Sequence, residues 1–164
     1  MGDCFNRLIE LGGFMASKEM IGRVLSTGSA TVQAEHVAAF ACALGDVNPL
    51  YADPEAARRG PFGVTVAPPT YPIAFMAQAL AGGADVFLEL GLNFMILVHG
   101  EQEFEYARPI RAGETLTLTG RIADVYEKRG SNGVLDFAVL ETEAVDAQGK
   151  PVFFSRNTLI SRRT

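Results

Sequence analysis

Between Ile73 and Ala81 the chain reads Ile, Ala, Phe, Met, Ala, Gln, Ala, Leu, Ala, and Gln78 is its one polar residue. A helix that is apolar on every side needs cover on every side. The expected span is residues 70–81, with Thr70 as the cap, Pro72 in the first turn and Gly82-Gly83 as the end. After His99 the pattern changes to a period of two. Glu101, Glu103 and Glu105 alternate with Gln102, Phe104 and Tyr106, giving a strand with one wet and one packed face. Thr115, Thr117 and Thr119 alternate with Leu116 and Leu118, and a phase shift near Val125 predicts a bulge. Asn132-Gly133 is a hairpin signal, Leu135, Phe137 and Val139 share a face, and residues 151–161 form a last strand. Four long strands joined by turns predict an antiparallel meander. One apolar helix with one such sheet gives an α+β chain of the hot-dog type, a long curved antiparallel sheet wrapped around a buried central helix.

The first half of the chain is more broken. Residues 1–19 form a weakly patterned extension with a short stripe of Phe5, Leu8 and Ile9. Residues 21–32 are rich in β-branched side chains and read as a first strand, with Gly28 as a bulge. Val37, Phe40, Ala41 and Leu44 recur at helical spacing over residues 34–44, and Gly45 stands where a left-handed residue ends a helix. Asp53-Pro54 is a cap followed by a first-turn proline, opening a short helix that Gly60 closes. Residues 64–66 are too short to assign, and residues 84–92 form a short surface helix. With 164 residues and no linker or repeat, a single domain is expected over residues 1–164. One such unit leaves sheet edges and apolar surface uncovered, so dimerisation is expected.

Composition excludes several functions. A net charge of −5 and no basic stripe argue against nucleic acid. The N-terminus has no basic segment followed by an apolar run, and the most apolar region, residues 71–98, is broken by Gln78, Asp85, Glu89 and Asn93. Neither an export signal nor a membrane span is expected, and a cytoplasmic setting fits. Cys4 and Cys42 form no metal-type pair, and Cys42 is expected to be a small buried hydrophobe. With only His36 and His99 a histidine-rich metal site is dismissed, and no metal or other cofactor is expected.

The chemistry-bearing stretch is Gly45-Asp46-Val47-Asn48-Pro49-Leu50-Tyr51-Ala52-Asp53. It is too rich in polar residues and turn formers to read as helix or strand. A carboxylate at a helix end, near Asn48 and Tyr51, can act as a general base or position a water. Asp and Asn also make local turns by bonding their own backbone, and spacing alone favours that simpler role. The start of the apolar helix, Pro69-Thr70-Tyr71, offers backbone N–H groups of Thr70, Tyr71 and Ile73 to a developing oxyanion; Thr70 can equally serve only as a cap. His36 reads as a surface residue, and His99 as a base or, more simply, a structural hydrogen-bonder. Arg58 and Arg59, with Arg108 and Arg111, could meet phosphates, although Arg58 and Arg59 sit where they would also stabilise a helix C-terminus.

The stretch from Ala43 to Ala57 resembles the hydratase motif of MaoC-like dehydratases and R-specific enoyl-CoA hydratases, Gly-Asp-x-Asn-Pro-Leu-His-x-Asp followed by a short Ala-rich helix. Ala67-Pro68-Pro69-Thr70, the run His99 to Tyr106 and the run Arg108 to Glu114 resemble the N-terminal MaoC-like dehydratase subgroup. The likeness covers residues 21–161. It implies a hot-dog fold, pairing of hot-dog units, and reversible hydration of a 2-enoyl thioester, carried on coenzyme A or acyl carrier protein, to the 3-hydroxyacyl form. By that resemblance Asp46 matches the catalytic Asp, and Asn48 and Pro49 match the pair that shapes the loop. Pro69-Thr70 replaces the family's His-Gly, so Thr70 or Tyr71 would supply the oxyanion donor. Tyr51 stands where the family has its catalytic His, and tyrosine, with a reference pKa of about 10, is a poor base at neutral pH. The chain is therefore expected to be a homodimer, or a heterodimer or heterotetramer with another MaoC-like chain that supplies an intact Asp/His pair. The alternatives are a non-catalytic acyl-thioester-binding or structural subunit and, less favoured, a hot-dog thioesterase.

Overall fold

The structure, a computed structural model, describes residues 18–79, 97–130 and 133–163. A 3-10 turn at Lys18–Met20 leads into β1 (Val24–Thr31). Helices α1 (Ala34–Ala43), α2 (Pro49–Ala52), α3 (Pro54–Arg59) and α4 (Pro72–Ala79) follow, and then β2 (Val98–Tyr106), β3 (Thr115–Gly130), β4 (Gly133–Val145) and β5 (Pro151–Arg163). The five strands form one antiparallel sheet in the order β1-β3-β4-β5-β2. This is the expected α+β hot-dog arrangement.

The sheet departs from the expected meander in one place. Only β3, β4 and β5 run as consecutive hairpins; β2 crosses over to pair with β5, and β1 takes the free edge of β3. Tyr106 at the end of β2 pairs with Phe153, and Thr31 at the end of β1 pairs with Thr115. The irregular segment 107–114, with Pro109 and a left-handed Gly113, separates β2 from β3, which pairs with β1 and not with β2. The bulge expected near Val125 lies between Ile122 and Asp124. The one assigned to Gly28 is absent, since Gly28 pairs in register with Leu118, and the irregularity lies at Val24/Ser26. Residues 64–66 make no strand, only a bridge between Val66 and Arg111. The expected N-terminal stripe, the 84–92 helix and the end of the apolar helix at Gly82-Gly83 lie outside the described residues.

The core sits between α4 and the sheet. Phe75 and Tyr71 pack with Val32, Val37, Ile110, Leu116, Leu118, Val152 and Phe153. Farther along the same face, Ile122, Val125, Ala138 and Leu140 form a second cluster. The opposite face of β1 and β3 carries hydroxyl pairs, Thr31 with Thr115 at 2.8 Å, Ser29 with Thr117 at 2.9 Å and Thr27 with Thr119 at 3.4 Å. Such cross-strand pairs contribute roughly 0.2–1 kcal/mol each and pin the register that turns Leu116 and Leu118 inward.

Three expectations about burial are corrected. Cys42 is exposed, because the buried stripe of α1 is Val37 and Ala41, and Cys42 lies about 100° round the helix from Ala41. Leu44 is also exposed, since the helix ends one residue before it. The described first turns of the apolar helix are not covered on every side: Phe75 is 2% exposed, whereas Ile73 is 47% exposed and Ala74 is also open.

A charged clamp closes the end of the sheet beside α4. The guanidinium of Arg108 donates to both oxygens of Glu114, at 3.0 and 2.8 Å, and to Asp146 Oδ2 at 3.2 Å. Glu114 also accepts from the Arg111 N–H at 2.8 Å. Asp146 Oδ1 accepts from the Lys150 and Gln148 N–H groups at 2.9 and 3.0 Å. The Lys150 N–H first, and then Gln148 and Arg108, hold the Asp146 carboxyl below the usual carboxylate range. The folded state therefore favours the charged form. The stability this contributes is present above the ordinary carboxylate value of about 3.9 and is lost as pH falls through the lowered folded value. Thermal melts should show Asp146→Asn less stable than the parent at pH 7, with the gap closing below about pH 4.

Candidate active site

Helix α1 ends in a two-bond cap that fixes where Asp46 begins. The Gly45 N–H bonds Cys42 O at 3.0 Å, and the Asp46 N–H reaches back to Ala41 O at 2.9 Å. This is the Schellman pattern, and it needs the left-handed turn that Gly45 supplies at φ +69°. Asp46 is thereby held at the surface just past the helix. Its Oδ1 accepts from the Asn48 N–H at 3.0 Å. Asn48 Oδ1 in turn accepts from the Leu50 N–H at 3.1 Å and caps α2. The turn bonds expected of Asp and Asn are thus made, and Asp46 Oδ2 has no partner among the described residues.

The loop is not free of helix. Asn48 and Pro49 start the single turn α2, which carries Tyr51, and Asp53 then caps α3 by accepting from the Glu55 and Ala56 N–H groups at 2.9 and 3.1 Å. Two consecutive caps let a polar stretch form helix that its composition alone argues against. The Leu50 carbonyl accepts from the Val66 N–H at 3.2 Å, tying α2 to the segment before α4. Val47, between the two caps, is 93% exposed.

The loop and the start of α4 meet through aromatic rings. Phe40 of α1 meets Tyr71 edge-on at 5.4 Å, and Tyr71 stacks on Phe75 at 6.1 Å. Tyr51 packs, half-buried, against the same cluster. Tyr71 is buried, which pushes its hydroxyl pKa up. Its side chain is therefore a packing element beneath the site. Of the three backbone donors expected at the helix start, the Tyr71 N–H is taken by Pro68 O at 3.0 Å and the Ile73 N–H by Thr70 O at 3.2 Å. The Thr70 N–H has no partner among the described residues, and Thr70 is exposed.

Tyr106 is a site residue that sequence reasoning passed over. Its hydroxyl donates to Pro69 O and fixes the turn that presents Thr70. Burial pushes its pKa up to about 12, so it stays a donor. The available signal was its place, two residues after Phe104 on the packed face of a strand.

The remaining candidates lie elsewhere. His99 is exposed at the opposite end of β2, seven residues from Tyr106, roughly 23 Å at strand rise. His36 is exposed on α1. Arg58 pairs with Glu55 at 2.8 Å in the last turn of α3, and Arg59 is exposed beside it. Arg108 is committed to Glu114 and Asp146. Among the described residues no group of His, Cys, Asp and Glu is placed to hold a metal, and no helix is long and apolar enough to cross a membrane.

A five-stranded antiparallel sheet packed against α4, with an acidic loop tied to the start of that helix, is the hot-dog arrangement. A family model described as "FAS1-like, dehydratase domain region" matches residues 19–154, and the chain belongs to that family. A "UPF0336 protein" of Streptomyces avermitilis is 39% identical over 128 residues, covering 78% of this chain and 82% of the relative. In fold the chain resembles the HadBC (3R-hydroxyacyl-ACP dehydratase) complex of Mycobacterium tuberculosis, with TM-score 0.68 and 24% identity over 83% of this chain and 95% of that one. It also resembles the MaoC-like dehydratase of Rhodospirillum rubrum, with TM-score 0.67 and 18% identity over 93% of this chain and 99% of that one.

The cap of α1 sets the position of Asp46, so its glycine is testable. Gly45→Ala meets no steric neighbour but must keep a left-handed backbone. Denaturant melts should show a loss of about 1–2 kcal/mol, with Gly45→Asn losing less.

Proposed function

We propose that this chain takes part in the reversible hydration of 2-enoyl thioesters, as one subunit of an assembly with a second hot-dog chain. The observation that carries the reading is the Asp46 carboxylate. One oxygen is fixed by the loop and the other has no partner among the described residues, and aromatic packing ties the preceding helix to the turn that presents Thr70. In the hydration direction, Asp46 takes a proton from a water as the water oxygen bonds to C3 of the enoyl group. The proton is returned to C2, and the Thr70 N–H stabilises the negative charge that the thioester oxygen gains between the two events. Tyr51 donates a hydrogen bond to the water and does not act as the base. Asn48 and Pro49 hold the loop in shape. The carrier is coenzyme A or acyl carrier protein.

The second reading rests on Tyr51. A hydratase in which the water is shared by Asp and His loses half its proton relay when the His is Tyr. This chain would then bind the acyl thioester, or only shape the pocket, while a partner chain supplies the complete Asp/His pair. Ile73 and Ala74 of α4, open among the described residues, support pairing with another chain. So does the likeness to HadBC, a dehydratase that is itself a complex.

Hydration of crotonyl-CoA and longer enoyl-CoAs, followed by loss of enoyl absorbance, separates the two. If Asp46 is the base, Asp46→Asn keeps the loop acceptor and lowers turnover by at least about 100-fold. Tyr51→His in the lone chain should then raise it. If the chain is a supporting subunit, Asp46→Asn leaves the turnover of the two-chain complex unchanged. Measurable turnover by the lone chain that Asp46→Asn abolishes would sink the supporting-subunit reading.

A further inference from the structure

Strand β2 ends the sheet, and no strand among the described residues pairs with its outer edge. Edge strands are ordinarily blunted by shortness, proline or bulges. β2 spans nine residues, holds no proline, and pairs without interruption with β5 from Glu101 to Tyr106. Its two ends leave apolar surface open, with Val98 57% and Tyr106 38% exposed. Phe104 packs on the core, so the alternating residues Glu101, Glu103 and Glu105 turn away from α4, and all three are exposed. Arg156 stands beside Glu103 on the next strand, but its guanidinium is bonded to Glu141. One strand pair farther in, Arg121 is bonded to Glu143 at 2.9 Å. The cations of this face are thus committed within the sheet, and no ion pair to the three β2 carboxylates is made among the described residues. The open edge presents unspent backbone groups together with three like charges at alternate positions.

A sheet edge of this kind takes another strand. Backbone bonds give the affinity, and side chains on the shared face choose the partner. A second copy meets a conflict. Two identical edges pair antiparallel about a two-fold axis perpendicular to the sheet, and residues directly opposite then share a face. Whether that axis falls on Gln102, Glu103 or Phe104, glutamate stands directly opposite glutamate. Like charges in that position destabilise a strand pair. We propose that the β2 edge docks the edge strand of a different chain that carries Lys or Arg on the same face, and that Glu101, Glu103 and Glu105 select this partner over a second copy. This deepens the two-chain reading above and rests on it, naming the chemistry of the second chain's edge. Basic residues opposite convert each repulsion into an attraction, and partner choice is sharpest when the wrong pair is repelled as well as the right one attracted. Val98 and Tyr106 give the incoming strand apolar contact at both ends.

The test uses the full chain and takes the basic partner from the chain itself. The probe is the triple variant E101K/E103K/E105K. Sedimentation with one protein labelled compares the parent alone, the variant alone and their equimolar mixture, at low and at high salt. The parent–variant pair should form about tenfold tighter than either self-pair or better, and should weaken as salt rises. Amide hydrogen exchange over residues 101–106 should slow in both proteins on mixing. Glu103→Lys alone should move the balance the same way by less, and it serves as the probe if the triple variant does not fold. Parent self-association as tight as the mixed pair, with protection at residues 101–106, would overturn the proposal, because the charges then choose nothing. A mixture that stays monomeric would overturn it too and leave the glutamates as a guard against aggregation. Association without protection at residues 101–106 would also overturn it, by moving the interface to another surface. These readouts do not involve turnover. The two-chain reading fails separately, if the lone chain turns over enoyl-CoA and Asp46→Asn abolishes it.

Discussion

The edge-to-face contact between Phe40 and Tyr71 is the joint on which the candidate site depends. Phe40 belongs to the helix whose C-terminal cap fixes Asp46. Tyr71 belongs to the turn that presents the Thr70 N–H. Val37 and Tyr51 join the same cluster, and the bond between Val66 and Leu50 adds a backbone tie. The rings are large, and the Tyr71 hydroxyl tolerates burial because it need not ionise. Tyr106 secures the same turn from the sheet side through Pro69. Aromatic packing and one hydrogen bond therefore tie the element that carries the carboxylate to the turn that carries the free N–H.

The central helix explains both the success and the shortfall of the sequence reading. Its apolar composition calls for cover on all sides, and the period-two runs that follow it form an antiparallel sheet, though not in meander order. One sheet covers one side. Phe75 faces it and Ile73 faces outward. The excess apolarity of α4 is thus a statement about a second surface that the other described residues do not provide. Periodicity counts apolar residues without recording which body buries them.

The elements with strong local chemistry were legible: the Gly45 terminus, the Asp53-Pro54 cap, the bulge near Val125 and the long strands. What depended on partners far along the chain was not. Nothing in the run His99 to Tyr106 says that it pairs with β5 and not β3, and nothing around Gly28 says that its neighbour stays in register. Cys42 was misplaced because four apolar residues on α1 left the exact centre of the buried stripe open. In the site, the loop's residues were readable from turn chemistry and the motif. The N–H groups of Tyr71 and Ile73 are spent in local turns that the motif does not spell out, and the Tyr106 bond to Pro69 arises only when β2 is laid beside the segment before α4.

The position of β1 at the far edge has a consequence for how the molecule comes into being. Its hydroxyl partners on β3 lie as far as 92 residues downstream, in the pair Thr27–Thr119. During synthesis the first strand emerges with nothing to pair against, and it waits through the helices and β2 before its neighbour exists. Contacts of such long sequence separation close slowly. The β3–β4–β5 hairpins, built from near neighbours, are the natural nucleus, and β1 docks on them last. The Thr and Ser side chains that line β1 suit that interval, since a strand that must linger unpaired in water is safer carrying hydroxyls than methyls.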